Sequence, residues 1–188
     1  TSTISLVVTS LGFFVLALLF QNQIAHFIDI DVKYINLVIW ILLLDALVII
    51  PFAWLRATQQ PMRYAVIKIL NVVINLGLNL FFLLALKDLA SNNSLFESIY
   101  KPNFEINYIF IANLIASAVT LILMFRFYAK IKYVFNSALW KTMLRYAFPV
   151  LIAGVAFSIN ETFDRILLKE LLPANVAETQ IGMYSACY

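Results

Sequence analysis

A single cysteine, Cys187, stands among 188 residues, which excludes an internal disulfide and a thiolate metal cluster. Charged side chains are almost as scarce, at 12% of the chain against 63% hydrophobic residues. Catalytic signatures are absent as well: there is no HExxH, GxSxG, phosphate-binding loop, dinucleotide fingerprint or paired-cysteine site. The segment is therefore read as neither an enzyme nor an ATP-driven pump, and no cofactor or metal is implied. The most informative absence is one of sign. Two connections hold Arg56, Arg63, Lys68 and Arg126, Lys130, Lys132, Lys141, Arg145 without one Asp or Glu.

What remains is apolar. A mean hydropathy of +0.92 over this length exceeds what a water-soluble core can hide. A bilayer core of about 30 Å takes roughly 20 apolar residues as a helix. Five stretches meet or approach that length: 4–20, 34–55, 64–86, 106–125 and 148–172. The expected fold is all-α and polytopic. The basic connections 56–63 and 126–147 alternate with 21–33 and 87–105, which hold acids (Asp29, Asp31, Asp88, Glu97, Glu105). By the positive-inside rule the basic pair faces the cytoplasm. Tyr34, Trp54, Tyr64, Tyr108, Tyr128, Tyr133, Trp140 and Tyr146 fall near predicted span ends, as an interfacial aromatic belt does. The pI near 9.0 then reflects anchoring to anionic headgroups rather than a nucleic-acid partner.

Residues 136–146 interleave Leu139, Trp140, Met143 and Leu144 with Lys141 and Arg145, predicting a short helix along the membrane surface. The chain opens at Thr1 without methionine or a basic leader and reads as an internal piece of a longer transporter-sized protein.

Several polar groups lie inside the predicted spans, where an ion costs a few kcal/mol unless it faces the bundle interior or a watery cavity. Asp45 sits near the middle of the second span, and Pro51 removes the donor for the Leu47 carbonyl. Asp45 reads either as an interhelical hydrogen-bond acceptor or as a carboxylate coupling transport to a cation. The fifth span holds Asn160, Glu161, Asp164 and Arg165. Glu161 and Arg165 have the i,i+4 spacing of an intrahelical pair. Asp164 has no evident local partner. That cluster reads either as a structural pair or as a polar cavity wall. Asn71, Asn75 and Asn79 form a stripe on the third span, suited to bonding a neighbouring helix or to lining a sugar-binding groove. Ala112-xxx-Ala116 and Gly154-xxx-Ser158 are read as close-approach packing devices, and His26 as a surface residue of an outer loop.

Three stretches resemble the Wzx-type flippases, the polysaccharide-transporter branch of the multidrug/oligosaccharidyl-lipid/polysaccharide exporter superfamily. They are Pro51-Phe-Ala-Trp-Leu-Arg-Ala with Arg63-Tyr-Ala and the Lys68–Asn79 stripe; Leu144-Arg-Tyr-Ala-Phe-Pro; and Asn160-Glu-Thr-Phe-Asp-Arg with Gly182-Met-Tyr-Ser-Ala. Together they cover about half of the chain, and the last pairing is the most specific. The resemblance implies a MATE-like protein of two lobes. Residues 1–128 would supply four helices of the first, 129–147 the cytoplasmic linker, and 148–188 the first helix of the second with the start of the next. It also implies a lipid-linked oligosaccharide, carried on undecaprenyl diphosphate across the bacterial cytoplasmic membrane for surface polysaccharide such as O-antigen or lipopolysaccharide. Membrane lipids and a coupling ion, H+ or Na+, are the other partners. In that frame Arg165, Arg56 and Lys68 are candidates for the headgroup, and Asp45, Glu161 and Asp164 for ion coupling. Asn71, Asn75, Asn79 and Asn160 would line the cavity. A drug/cation antiporter of the same superfamily and a membrane enzyme of glycan assembly are the rival readings.

Overall fold

A computed structural model describes residues 1–86, 104–129 and 134–187. Among them are six α-helices and no strand: α1 Ser2–Ile28, α2 Val32–Ala57, α3 Pro61–Leu80, α4 Glu105–Tyr128, α5 Ser137–Leu171 and α6 Ala174–Cys187. A π-helical turn, Phe81–Ala85, extends α3. Five helical stretches are long and apolar enough to cross a membrane: Ser2–Ile28, Val32–Ala57, Pro61–Leu84, Glu105–Tyr128 and Ser137–Lys169. The chain is an all-α polytopic membrane protein. Most of the mixed-charge connection 87–105, expected to face outside, lies beyond the described residues, as do the basic residues Lys130 and Lys132.

The helices form two units: Thr1–Phe135, with α1 to α4, and Asn136–Tyr188, with α5 and α6. In the first, α2 packs on α1 and α4, and α4 also packs on α3. Large apolar side chains on the outer faces are exposed, Phe13 to 74% and Leu19 to 68%. In water such faces would aggregate; against acyl chains they are the solvated side. Burial concentrates where three helices meet. Val48, Phe52 and Leu55 of α2 and Met124 of α4 form the core, flanked by Tyr64, Ile67 and Leu121. Ala112 and Ala116 on α4 are wholly buried, so their missing side chains set the close approach of its neighbours. At Gly154, by contrast, an added Cβ would meet open space. Small size there serves no packing within its unit.

Helix ends follow local chemistry. α1 continues to Ile28, eight residues beyond the apolar stretch, because Gln21, Asn22, Gln23 and His26 are polar without breaking a helix. It stops where Asp29 turns left-handed (φ 58, ψ 45), a conformation Asp tolerates better than most. His26 therefore sits in the last helical turn rather than in a loop. Asp31 caps α2 by accepting from the Lys33 amide at 3.1 Å. Pro51, fully buried inside α2, leaves the Leu47 carbonyl without its helical donor. The Tyr128 hydroxyl at the end of α4 donates to that carbonyl instead.

α5 begins where the Asn136 side chain accepts from the amides of Ala138 and Leu139, at 3.0 and 3.1 Å. From there one helix runs unbroken to Leu171, with Pro149 inside it. The surface helix expected for 136–146 is thus the opening of α5, continuous with the span. Ala138, Leu139, Lys141, Met143, Leu144 and Arg145 are strong helix formers, and one proline removes a single donor without ending the ladder. The helix ends at Leu172, which is extended (φ −90, ψ 148) ahead of Pro173, as a residue before proline prefers.

Candidate functional site

Two polar stripes face each other inside the first unit. On α3, Asn71, Asn75 and Asn79 recur every fourth residue; on α4, Asn113, Ser117 and Thr120 follow at i, i+4 and i+7. The Asn71 amide donates to Thr120 Oγ1 at 2.9 Å, and the Asn75 amide to Asn113 Oδ1 at 3.0 Å. Asn79 donates back to Asn75 Oδ1 at 2.6 Å. Thr120 in turn bonds the Ala116 carbonyl of its own helix at 2.8 Å. A third helix joins through Asp45, whose Oδ1 accepts from Ser117 Oγ at 2.6 Å. Such bonds tie helices together where lipid offers no alternative partner. One member stays short: Asn79 Oδ1 is buried without a partner among the described residues, two residues before the π-helical turn.

The seam opens into a cavity of about 480 Å³ between α2, α3 and α4. Asp45, Lys68, Asn71, Asn113, Ser117 and Thr120 give it a polar lining, and Leu42, Val48, Ile49 and Phe52 an apolar one. Lys68 Nζ rests 4.8 Å from the centroid of the Phe52 ring, a cation–π contact, and forms no ion pair with Asp45. One carboxylate and one ammonium therefore share a cavity while remaining available to a third party. Such a lining can meet a hydroxylated or zwitterionic ligand, or exchange a cation at Asp45.

The other candidates lie elsewhere. Arg56, exposed in the last turn of α2, is placed over the Tyr64 ring at 5.7 Å and does not line that cavity. In the second unit, Asn160 and Asp164 are exposed on α5 and Glu161 is half-buried. Asp164 is not without a partner, as the local sequence suggested: Tyr184 of α6 donates to its Oδ2 at 3.0 Å. The partner was invisible because it lies 20 residues away, on the next helix. The side chain of Arg165, and with it the Glu161–Arg165 pair expected from their spacing, lies outside the described residues. No group of three His, Cys, Asp or Glu side chains converges as metal ligands among the described residues.

Sequence reasoning missed Asn113, Ser117 and Thr120, because α4 carries no charge within its apolar run. Their signal was present nonetheless: three polar residues on one helical face of an otherwise apolar span.

Membrane-length helices around an interior that holds hydrogen-bonded amides and two opposite charges define a polytopic transport-type protein. Over residues 1–188 the chain matches the family described as polysaccharide biosynthesis protein, and it belongs to that family, the Wzx-type polysaccharide transporters. Its members are transporters rather than enzymes, and its role lies in the export of polysaccharide across a membrane. No curated protein and no solved structure is significantly similar to it.

Proposed function

We propose that this chain forms part of a flippase that moves an undecaprenyl-diphosphate-linked oligosaccharide from the inner to the outer leaflet of the bacterial cytoplasmic membrane. The observation that carries the reading is the α2–α3–α4 cavity, which Asp45 and Lys68 line among amides and hydroxyls of a membrane bundle without an ion pair between them. A site of this kind suits a cargo that is at once polyhydroxylated and anionic. Asn71 and Asn113 offer amide groups to sugar hydroxyls, and Lys68 offers a cation to phosphate. Asp45 serves as the coupling carboxylate, exchanging H+ or Na+ as the cavity changes sides. Arg56 and Arg165 are further headgroup ligands, Glu161 and Asp164 further candidates for ion coupling, and Asn160 a further polar group of the cavity.

Transport then proceeds by alternating access, with a lobe containing residues 1–128 rocking against one that begins at 148, and 129–147 joining them on the cytoplasmic side. An ion bound in only one of the two states biases the equilibrium between them by its differential affinity.

The test is deletion of the parent gene, complemented with the wild type, Asp45→Asn or Lys68→Gln at matched protein levels. Lipid-linked repeat units should accumulate on the cytoplasmic leaflet in the deletion and in both variants. Normal surface glycan in the deletion strain contradicts the reading.

A further inference from the structure

A second concavity of the first unit has no part in the transport reading. It lies where α2 and α4 end and α3 begins, and encloses about 1170 Å³. That is above the range of about 300–1,000 Å³ common to small-molecule pockets. Apart from Thr1, Ser2 and Thr3 at the start of α1, its uncharged walls are aliphatic and aromatic, with Ile50, Val66 and Leu123 beside the rings of Trp54 and Phe127, whose centroids are 5.0 Å apart. Two exposed arginines, Arg63 and Arg126, line the same groove, and no acidic side chain does. The Gln60 carboxamide oxygen accepts from Arg63 Nη1 at 2.9 Å, which orients that guanidinium and leaves its remaining N–H groups for a ligand. α3 also has no acid in its first turn, so nothing offsets the positive end of its dipole.

The lining thus has two parts, an apolar trough and a pair of guanidinium groups at the helix ends. A free phosphate would satisfy the arginines and leave the trough bare. A zwitterionic lipid would fill the trough but bring a cation to the arginines. We infer that the groove holds an anionic phospholipid, with acyl chain along Ile50, Val66 and Leu123 and its phosphate bonded by Arg63 and Arg126. Guanidinium suits this role through its planar, bidentate match to phosphate oxygens. Trp54 and Phe127 line the groove near the ends of α2 and α4, and aromatic rings of this kind collect at membrane interfaces.

The test is native mass spectrometry of the full gene product presented with phosphatidylglycerol and phosphatidylcholine. Phosphatidylglycerol should be retained preferentially. The double variant R63Q/R126Q should weaken its binding about 30-fold, from two basic side chains at about 1 kcal/mol each, with phosphatidylcholine unaffected. Arg145→Gln removes an exposed charge outside the groove and should leave binding unchanged. R63K/R126K keeps the charge but loses the bidentate geometry, and should fall between. Equal retention of both lipids, an unaffected double variant, or displacement of phosphatidylglycerol by a polyprenyl diphosphate at equal concentration would overturn the assignment. Lipid retention is read without translocation, so this result stands or falls apart from the flippase reading.

Discussion

The amides of α3 and the polar cluster of α5 look alike in sequence, each a short run of side chains that lipid should reject. The fold treats them differently. Asn71 and Asn75 each find a partner on α4, and Asp45 is held by Ser117. Asn160 and Asp164 instead stand exposed on α5, and the bond from Tyr184 to Asp164 is made near the helix surface. A polar group bonded across a helix interface contributes to assembly; one left at a surface in a membrane span is retained for another reason. Substitutions of the amides and hydroxyls on α3 and α4 should therefore act on stability and those on α5 on transport, while Asp45, which both bonds Ser117 and lines the cavity, should affect both.

The largest expected effect is at Ala116, which has no exposed surface. Ala116→Leu forces three added carbons into the α4 interface and should cost about 3 kcal/mol, seen as a lower thermal midpoint in detergent. Gly154→Ala, on the open face of α5, should be neutral or stabilising by up to about 1 kcal/mol in the same assay. Equal losses at both positions would erase the contrast between the units.

Next in size is Asn75→Leu, which removes the bond to Asn113 and the one received from Asn79. At about 0.6 kcal/mol per membrane hydrogen bond, the sum is about 1 kcal/mol. A similar loss of about 1 kcal/mol is expected for Tyr128→Phe, which strands the carbonyl that Pro51 leaves open. Replacing Pro51 with Ala in that background should recover part of it, since the helical donor returns; no recovery would show that Tyr128 acts elsewhere.

The smallest effect on stability belongs to Asp164→Asn. The amide oxygen still accepts from Tyr184, so the thermal midpoint should move by less than about 0.5 kcal/mol equivalent. Repeat-unit transport should nevertheless fall sharply. A variant that transports normally removes Asp164 from the proposed coupling set.

The spans themselves were legible because hydropathy over a bilayer thickness is a sum along the chain and needs no tertiary information. Ile28 and Ser137 show where that sum ends and helix propensity takes over: polar residues lengthen α1, and good helix formers weld 137–146 to the span. The site was legible only on the helices where a charge or a repeated amide stood out, at Asp45, Lys68 and Asn71. Their partners Ser117 and Thr120 lie 72 and 49 residues away, and weak polar side chains carry no sign of which helix they will meet. The role of Tyr128 was hidden for a related reason. Pro51 announced an open carbonyl, yet nothing local said that a hydroxyl 81 residues on would close it.

All of this presumes that the two basic connections lie on one side of the bilayer and the α1–α2 turn on the other. Single-cysteine labelling of the full gene product, in a Cys187→Ser background, reads that arrangement directly. Gln59→Cys and Ser137→Cys should react with a membrane-impermeant thiol reagent only after the cytoplasmic face is opened, and Asp29→Cys in intact cells. Reaction of Ser137→Cys from outside, with Asp29→Cys protected, would contradict the account.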